Sequence, residues 1–117
     1  MFNEPPREVL ERLPRLHAND ETMPLDEIVI HQHFFVGGCD WYAAEFDGED
    51  TFFGFVNLGD PDYAEWGYFR LSELRDIRFQ VPLCDGHTKA TLGHLPVEVE
   101  WDEHWDPKPF SEVRWGA

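Results

Sequence analysis

Basic residues are scarce in this chain: nine Lys and Arg stand against 24 Asp and Glu among 117 residues, for a formal net charge of −15. Such a field repels phosphate, so direct binding of nucleic acid would need a locally basic patch. The sequence shows none, because Arg7, Arg12 and Arg15, then Arg70, Arg75 and Arg78, then Lys89, Lys108 and Arg114 are scattered along it. Cysteine is nearly absent as well. Cys39 and Cys84 are too few for a disulfide framework and leave either one bridge or two free thiols. No stretch approaches the roughly 18 uninterrupted apolar residues of a membrane span. The opening MFNEPPREVLERL has neither a basic n-region nor an apolar h-region. These absences predict a soluble, cytoplasmic protein. Missing too are GxSxG, a phosphate-binding glycine loop and a dinucleotide fingerprint. No motif names a reaction, and the expectation is a protein that is not an enzyme.

What the chain does have is apolar mass. At 42% hydrophobic and 15% aromatic residues it can bury a core despite its charge. Its length predicts a single domain over 1–117, with the core in 13–113. Pro5 and Pro6 open a segment where Val9, Leu10, Leu13 and Leu16 recur at helical spacing, predicting a short helix over 5–13 that Pro14 stops. EIVIHQHFFV (27–36) reads as a strand ended by Gly37 and Gly38. WYAAEF (41–46) and TFFGFVN (51–57), joined by DGED, read as a hairpin. NLGDPD is a turn cluster, and EWGYFR (65–70) a third strand. LSELRD (71–76) reads as one helical turn with Ser72 as N-cap. Residues 77–96 give only weak strand patterns. LPVEVEW alternates, with Val97, Val99 and Trp101 on one face and Glu98, Glu100 and Asp102 on the other. The tail DPKPFSEVRWGA reads as extended with a last turn. The predicted class is α+β: one antiparallel, meander-type sheet with a short N-terminal helix and one or two short helical turns.

Five constellations can carry function. Glu45, Asp47, Glu49 and Asp50 surround Gly48. Asp-Gly at a hairpin tip is turn chemistry, while clustered carboxylates also suit a divalent cation or an acid and base pair. Glu45 stands apart, within a strand beside aromatics; buried there, it would need a base such as Arg70 or Arg75. His31 and His33 share a strand face, and with Cys39, Cys84 and His87 they form an incomplete zinc set. Partly buried histidines and inert cysteines are the plainer reading. Cys84 with His87 also suggests a thiol nucleophile, disfavoured by the acidic surroundings. Among the aromatics, Phe52 and Phe53 are adjacent, as are Tyr68 and Phe69, so one of each pair must point to the second sheet face. That face is either covered by helices or tail, or exposed as an acid-rimmed binding patch. Finally, Glu98, Glu100 and Asp102 would form a row spaced by roughly 6.6–6.8 Å along an extended strand.

WYAAEFDGEDTFFGFV (41–56), WGYFRLSEL (66–74), HLPVEVEW (94–101) and DPKPFSEV (106–113), with LPRLHANDETMPLDEIVIHQHFF (13–35), resemble a bacterial family known only as a domain of unknown function. The resemblance implies a compact fold and a setting on plasmids, phages and integrated elements; it implies no catalytic residues. Asp60 to Ala64 and residues 83–95 depart from its pattern as surface insertions. The expected function is an acidic interaction module that engages a basic protein surface through Glu45, Asp47, Glu49, Asp50, Glu98, Glu100 and Asp102. In its sharper form it mimics nucleic acid in the groove of a host defence or DNA-processing protein. The alternatives are a small zinc-binding or thiol-dependent enzyme and a plain ligand-binding domain. No cofactor is expected outside the zinc alternative, and no contact with membrane or nucleic acid.

Overall fold

The computed structural model describes residues 2–19, 22–84 and 91–113. Its centre is the predicted meander. β2 (Gln32–Val36), β3 (Cys39–Phe46), β4 (Thr51–Leu58) and β5 (Glu65–Arg70) pair antiparallel in sequence order, and β8 (Glu100–Trp101) joins the far side of β2. The α+β class holds. β5 is one edge of this five-stranded sheet.

The strand expected over 27–36 is divided. Leu25–Glu27 forms a 3-10 turn, and β1 (Val29–Ile30) pairs with β9 (Lys108–Pro109) of the tail. His31 then passes the chain to β2, its amide still donating to the Ala43 carbonyl at 2.8 Å. One apolar run thereby serves two sheets. The stretch 77–96, weak in pattern, supplies β6 (Arg78–Cys84) and most of β7 (Thr91–Glu98), which pair as a separate two-stranded ribbon. Of the two insertions, Asp60 to Ala64 contains a 3-10 turn at Pro61–Tyr63 between β4 and β5. The second spans the ribbon, with residues 85–90 outside the described ones.

The N-terminal helix is shorter than its periodicity suggested. α1 is Arg7–Leu10, continued by tighter bonds from Arg12 to Val9 and from Leu13 to Leu10. Pro14 lacks the amide to continue it and instead offers its carbonyl to the Phe46 amide at 2.8 Å, tying the helix to β3. α2 is Leu71–Asp76. Ser72 is not its N-cap: the Ser72 amide and hydroxyl both donate to the Asp50 carboxylate, at 2.9 and 2.6 Å. A hairpin-tip aspartate thus supplies the acceptor that a cap residue normally provides.

Both sheet faces are covered, and this explains why Trp41 through Phe46 are all buried. One face packs Phe34, Trp41, Phe46, Phe52 and Phe69 against Leu10, Leu13, Leu71 and Leu74 from the helices. The other packs Tyr42 and Phe55 against Ile28, Ile30, Phe110 and Val113. Strict alternation would set Phe46 and Trp41 on opposite faces. A β-bulge between Ala43 and Glu45 adds one residue and reverses the parity. Phe46 consequently joins the helix-covered face, opposite Phe52, while Glu45 turns to the second face, opposite Phe53.

Candidate functional site

The predicted site residues that the structure describes do not converge. At the hairpin tip, Asp47 Oδ1 accepts from the amides of Glu49, Asp50 and Thr51 at 2.7, 2.9 and 3.1 Å, and Gly48 takes φ +92°. Burial works to raise the Asp47 pKa, but these amides and the Thr51 hydroxyl outweigh it and leave the carboxyl below its usual value. The cluster is turn chemistry, with Asp50 committed to α2 and Glu49 exposed.

Glu45 is not a partner-facing carboxylate. The residue is 3% exposed, and its partners differ from the arginines expected. Oε1 accepts from the His17 amide at 2.8 Å, and Oε2 from the Asn19 amide and side-chain nitrogen at 3.0 and 2.6 Å. Arg75 is engaged by Glu4 instead, and Arg70 is exposed on the strand opposite Thr51.

The acidic row is also dispersed. β7 ends at Glu98 and β8 begins at Glu100, with Val99 fully buried between them. Glu98 faces Arg78 at 3.5 Å, Asp102 lies 3.2 Å from His33, and Glu100 is exposed. Alternation had placed the three acids correctly outside the core; sequence could not show that two of them have internal partners.

His33 acts as a clasp, with both ring nitrogens beside carboxylates. Its Nε2 lies 2.8 Å from Asp40 Oδ1 and its Nδ1 lies 3.2 Å from Asp102 Oδ2. Carboxylates only accept, so the ring serves both when both nitrogens carry protons. The imidazole stacks on Tyr42 at 4.7 Å and 7°, with Trp105 at 5.0 Å. His31 is half-buried, and burial pushes its pKa down. Among the described residues no group of three His, Cys, Asp or Glu side chains could hold a metal ion. His87 lies outside the described residues, as does the Cys84 side chain, so the Cys84 and His87 nucleophile pair falls there too. Cys39 is a free thiol whose pKa is raised by burial and then by Asp40, the reverse of what a nucleophile needs.

Two concavities flank β5. One, of about 280 Å³, lies at the sheet edge among Val56, Leu58, Asp60, Tyr63, Glu65, Gly67 and Tyr68. Tyr63 is 83% exposed, Leu58 67% and Tyr68 59%. Gly67 keeps this cleft open: a Cβ built there meets nothing within 4 Å, and the backbone does not take positive φ. The other, of about 270 Å³, lies on the second face above Glu45 and is lined by His17, Asn19, Met23, Leu25, Ile28, Phe53 and Tyr68.

A family match decides the classification: the pattern described as "Protein of unknown function (DUF2958)" covers residues 7–86. The chain belongs to the DUF2958 family. No curated protein and no solved structure matches it. The DUF2958 segment contains α1, β1 to β5, α2 and β6, and with them both concavities, whereas Asp102 of the clasp and Glu100 lie beyond it. Sequence reasoning missed the edge cleft of this DUF2958 protein. The available signal was Gly67 inside EWGYFR, since glycine in a strand interior weakens it and marks a close approach or an open space. No helix among the described residues is long and apolar enough to cross a membrane.

Proposed function

We propose that this protein is a non-enzymatic interaction module that receives Arg or Lys side chains of a basic partner protein in the cleft at the β5 edge. The observation that carries the reading is the pairing of exposed aromatics with unopposed acid. Tyr63 and Tyr68 stand beside Asp60 and Glu65, with Asp62 adjacent, and no basic side chain lines the cleft among the described residues. Tyrosine faces and carboxylates are complementary to guanidinium and ammonium groups. Aromatic anchors of this kind dominate interface energy. The net charge of −15 adds long-range attraction for a basic surface, which speeds encounter more than it deepens affinity.

Within that reading the partner is a protein surface that handles nucleic acid, since such surfaces cluster Arg and Lys where phosphates dock. The mobile-element setting implied by the family resemblance makes that partner a host protein. The carboxylates engaged are those of the β5 edge rather than the hairpin tip or the 98–102 row, where Asp47, Asp50, Glu98 and Asp102 are taken up by partners within the fold.

The test is fluorescence anisotropy with an Arg- and Lys-rich peptide and with an acidic peptide of equal length. Binding of the basic peptide alone is expected, falling at least tenfold between low and physiological salt. Gly67→Val fills the cleft in a strand position that favours β-branched residues. It is expected to abolish that binding without loss of stability. Equal binding by Gly67→Val, or binding insensitive to salt, would refute the proposal.

A further inference from the structure

The cavity above Glu45 is built differently from the edge cleft, and the sheet bends to build it. The bulge between Ala43 and Glu45 is what turns this carboxylate to the second face; without the extra residue Glu45 would point toward α1. Bulges of this kind re-aim a side chain and recur beside functional sites. The segment 17–19 then fixes the carboxylate from above, with His17 held at φ +67°, a conformation uncommon for a residue other than glycine. Its described hydrogen-bond donors are the neutral amides of His17 and Asn19. A carboxylate offers about four lone-pair sites. Among the described donors three are used, one by His17 on Oε1 and two by Asn19 on Oε2, which leaves room at Oε1 for a further donor.

A nearly buried anion with neutral partners sits here beneath walls of apolar and aromatic side chains. Phe53 and Tyr68 pack against each other at 5.2 Å, and Met23, Leu25 and Ile28 complete the lining. Leu25 is 52% exposed and Tyr68 59%, so both are accessible from solvent.

We infer that this cavity binds a small protonated amine carried on an apolar body, its ammonium directed at Glu45 and its body against Phe53 and Tyr68. The cation would donate to Oε1 and neutralise a charge held away from water, and the two rings would pack against the apolar body. At about 270 Å³ the space lies just under the usual 300–1,000 Å³ of small-molecule pockets, which limits the ligand to the size of an arylalkylamine. This cavity shares Tyr68 with the edge cleft but takes its anion from Glu45, which does not line that cleft, so the two proposals are told apart at Glu45 and at Tyr63.

The experiment is an amide-resolved NMR titration of the full chain with 2-phenylethylammonium, 2-phenylethanol and ethylammonium. Saturable shifts are expected at His17, Asn19, Glu45 and Phe53 for the first probe, with the alcohol and the short amine at least tenfold weaker. Glu45→Gln should weaken the first probe at least tenfold. Tyr68→Ala, at a solvent-exposed position that leaves the core intact, should weaken it at least threefold. Tyr63→Ala, confined to the edge cleft, should leave it unchanged. Shifts spread over the exposed carboxylates, equal affinity for the alcohol, or undiminished binding by Tyr68→Ala would overturn the assignment.

Discussion

Replacing His33 with Phe tests how far one side chain holds the C-terminal segment to the sheet. The imidazole joins β2, β3 and the residue after β8 through Asp40 and Asp102, and it stacks on Tyr42. Phe keeps a planar ring against Tyr42 but removes both ring nitrogens that face the carboxylates. A hydrogen bond to a charged group contributes about 1.5–3 kcal/mol when well shielded. The carboxylates here are 25% and 30% exposed, so water recovers part of that loss, and we take about 1 kcal/mol for each bond. The expected cost is thus about 1 kcal/mol where one ring nitrogen carries a proton and about 2 kcal/mol where both do, a fall of roughly 0.5–2 M in the urea midpoint for a slope near 1–2 kcal/mol/M. Asp102→Asn should cost about 1 kcal/mol alone and much less in the His33→Phe background, a coupling of about 1 kcal/mol. A His33→Phe cost under about 0.5 kcal/mol, or additive single and double mutants, would refute the clasp.

Asp50→Ala removes both acceptors of Ser72 and should cost about 1–2 kcal/mol in urea melts, whereas Glu49→Ala at the same tip should change stability by less than about 0.5 kcal/mol. His31 has its pKa lowered by burial, so the unfolded chain binds more protons than the native one below the ordinary histidine range. Its contribution is fully present above about pH 6.5 and declines as pH falls from there toward the lowered native value. Melting temperatures from pH 7.5 to 5 should show this slope diminished in His31→Gln, and an unchanged slope would contradict the assignment. Cys39, its thiol pushed up by burial and by Asp40, should alkylate with iodoacetamide at pH 8 at least several-fold more slowly in the native protein than after unfolding, as read by peptide mass spectrometry. Equal rates would refute this.

Much of the fold was legible in local chemistry. Asp47-Gly48 fixed the hairpin, and the paired apolar runs of β3 and β4 fixed the strands beside it. The adjacent pairs Phe52 with Phe53 and Tyr68 with Phe69 announced large apolar side chains on both sheet faces but left open whether the second face is covered; the tail residues Phe110 and Val113 cover part of it, while Tyr68 stays exposed. The bulge was hidden, because Ala43 and Ala44 are both small and apolar and carry no mark of changed parity. That one residue decides where Glu45 points. The clasp was hidden for a different reason: Asp102 is 69 residues from His33, and no periodicity reports a contact at that range. Likewise the 98–102 alternation showed which side chains avoid the core but not that Arg78 and His33 wait opposite two of them. The edge cleft depends on Gly67 facing open space, a fact about neighbours rather than about glycine.

The central claim is that the acid and tyrosine cleft at the β5 edge, and no other acidic surface, reads a basic partner. The most direct measurement is an amide-resolved NMR titration of the protein with an Arg- and Lys-rich peptide at physiological salt. The account predicts saturable shifts concentrated at Val56, Leu58, Tyr63, Glu65 and Gly67, lost in Tyr63→Ala. Shifts centred instead on Glu49, Glu100 or Asp106, or distributed evenly over the exposed Asp and Glu residues, would contradict it.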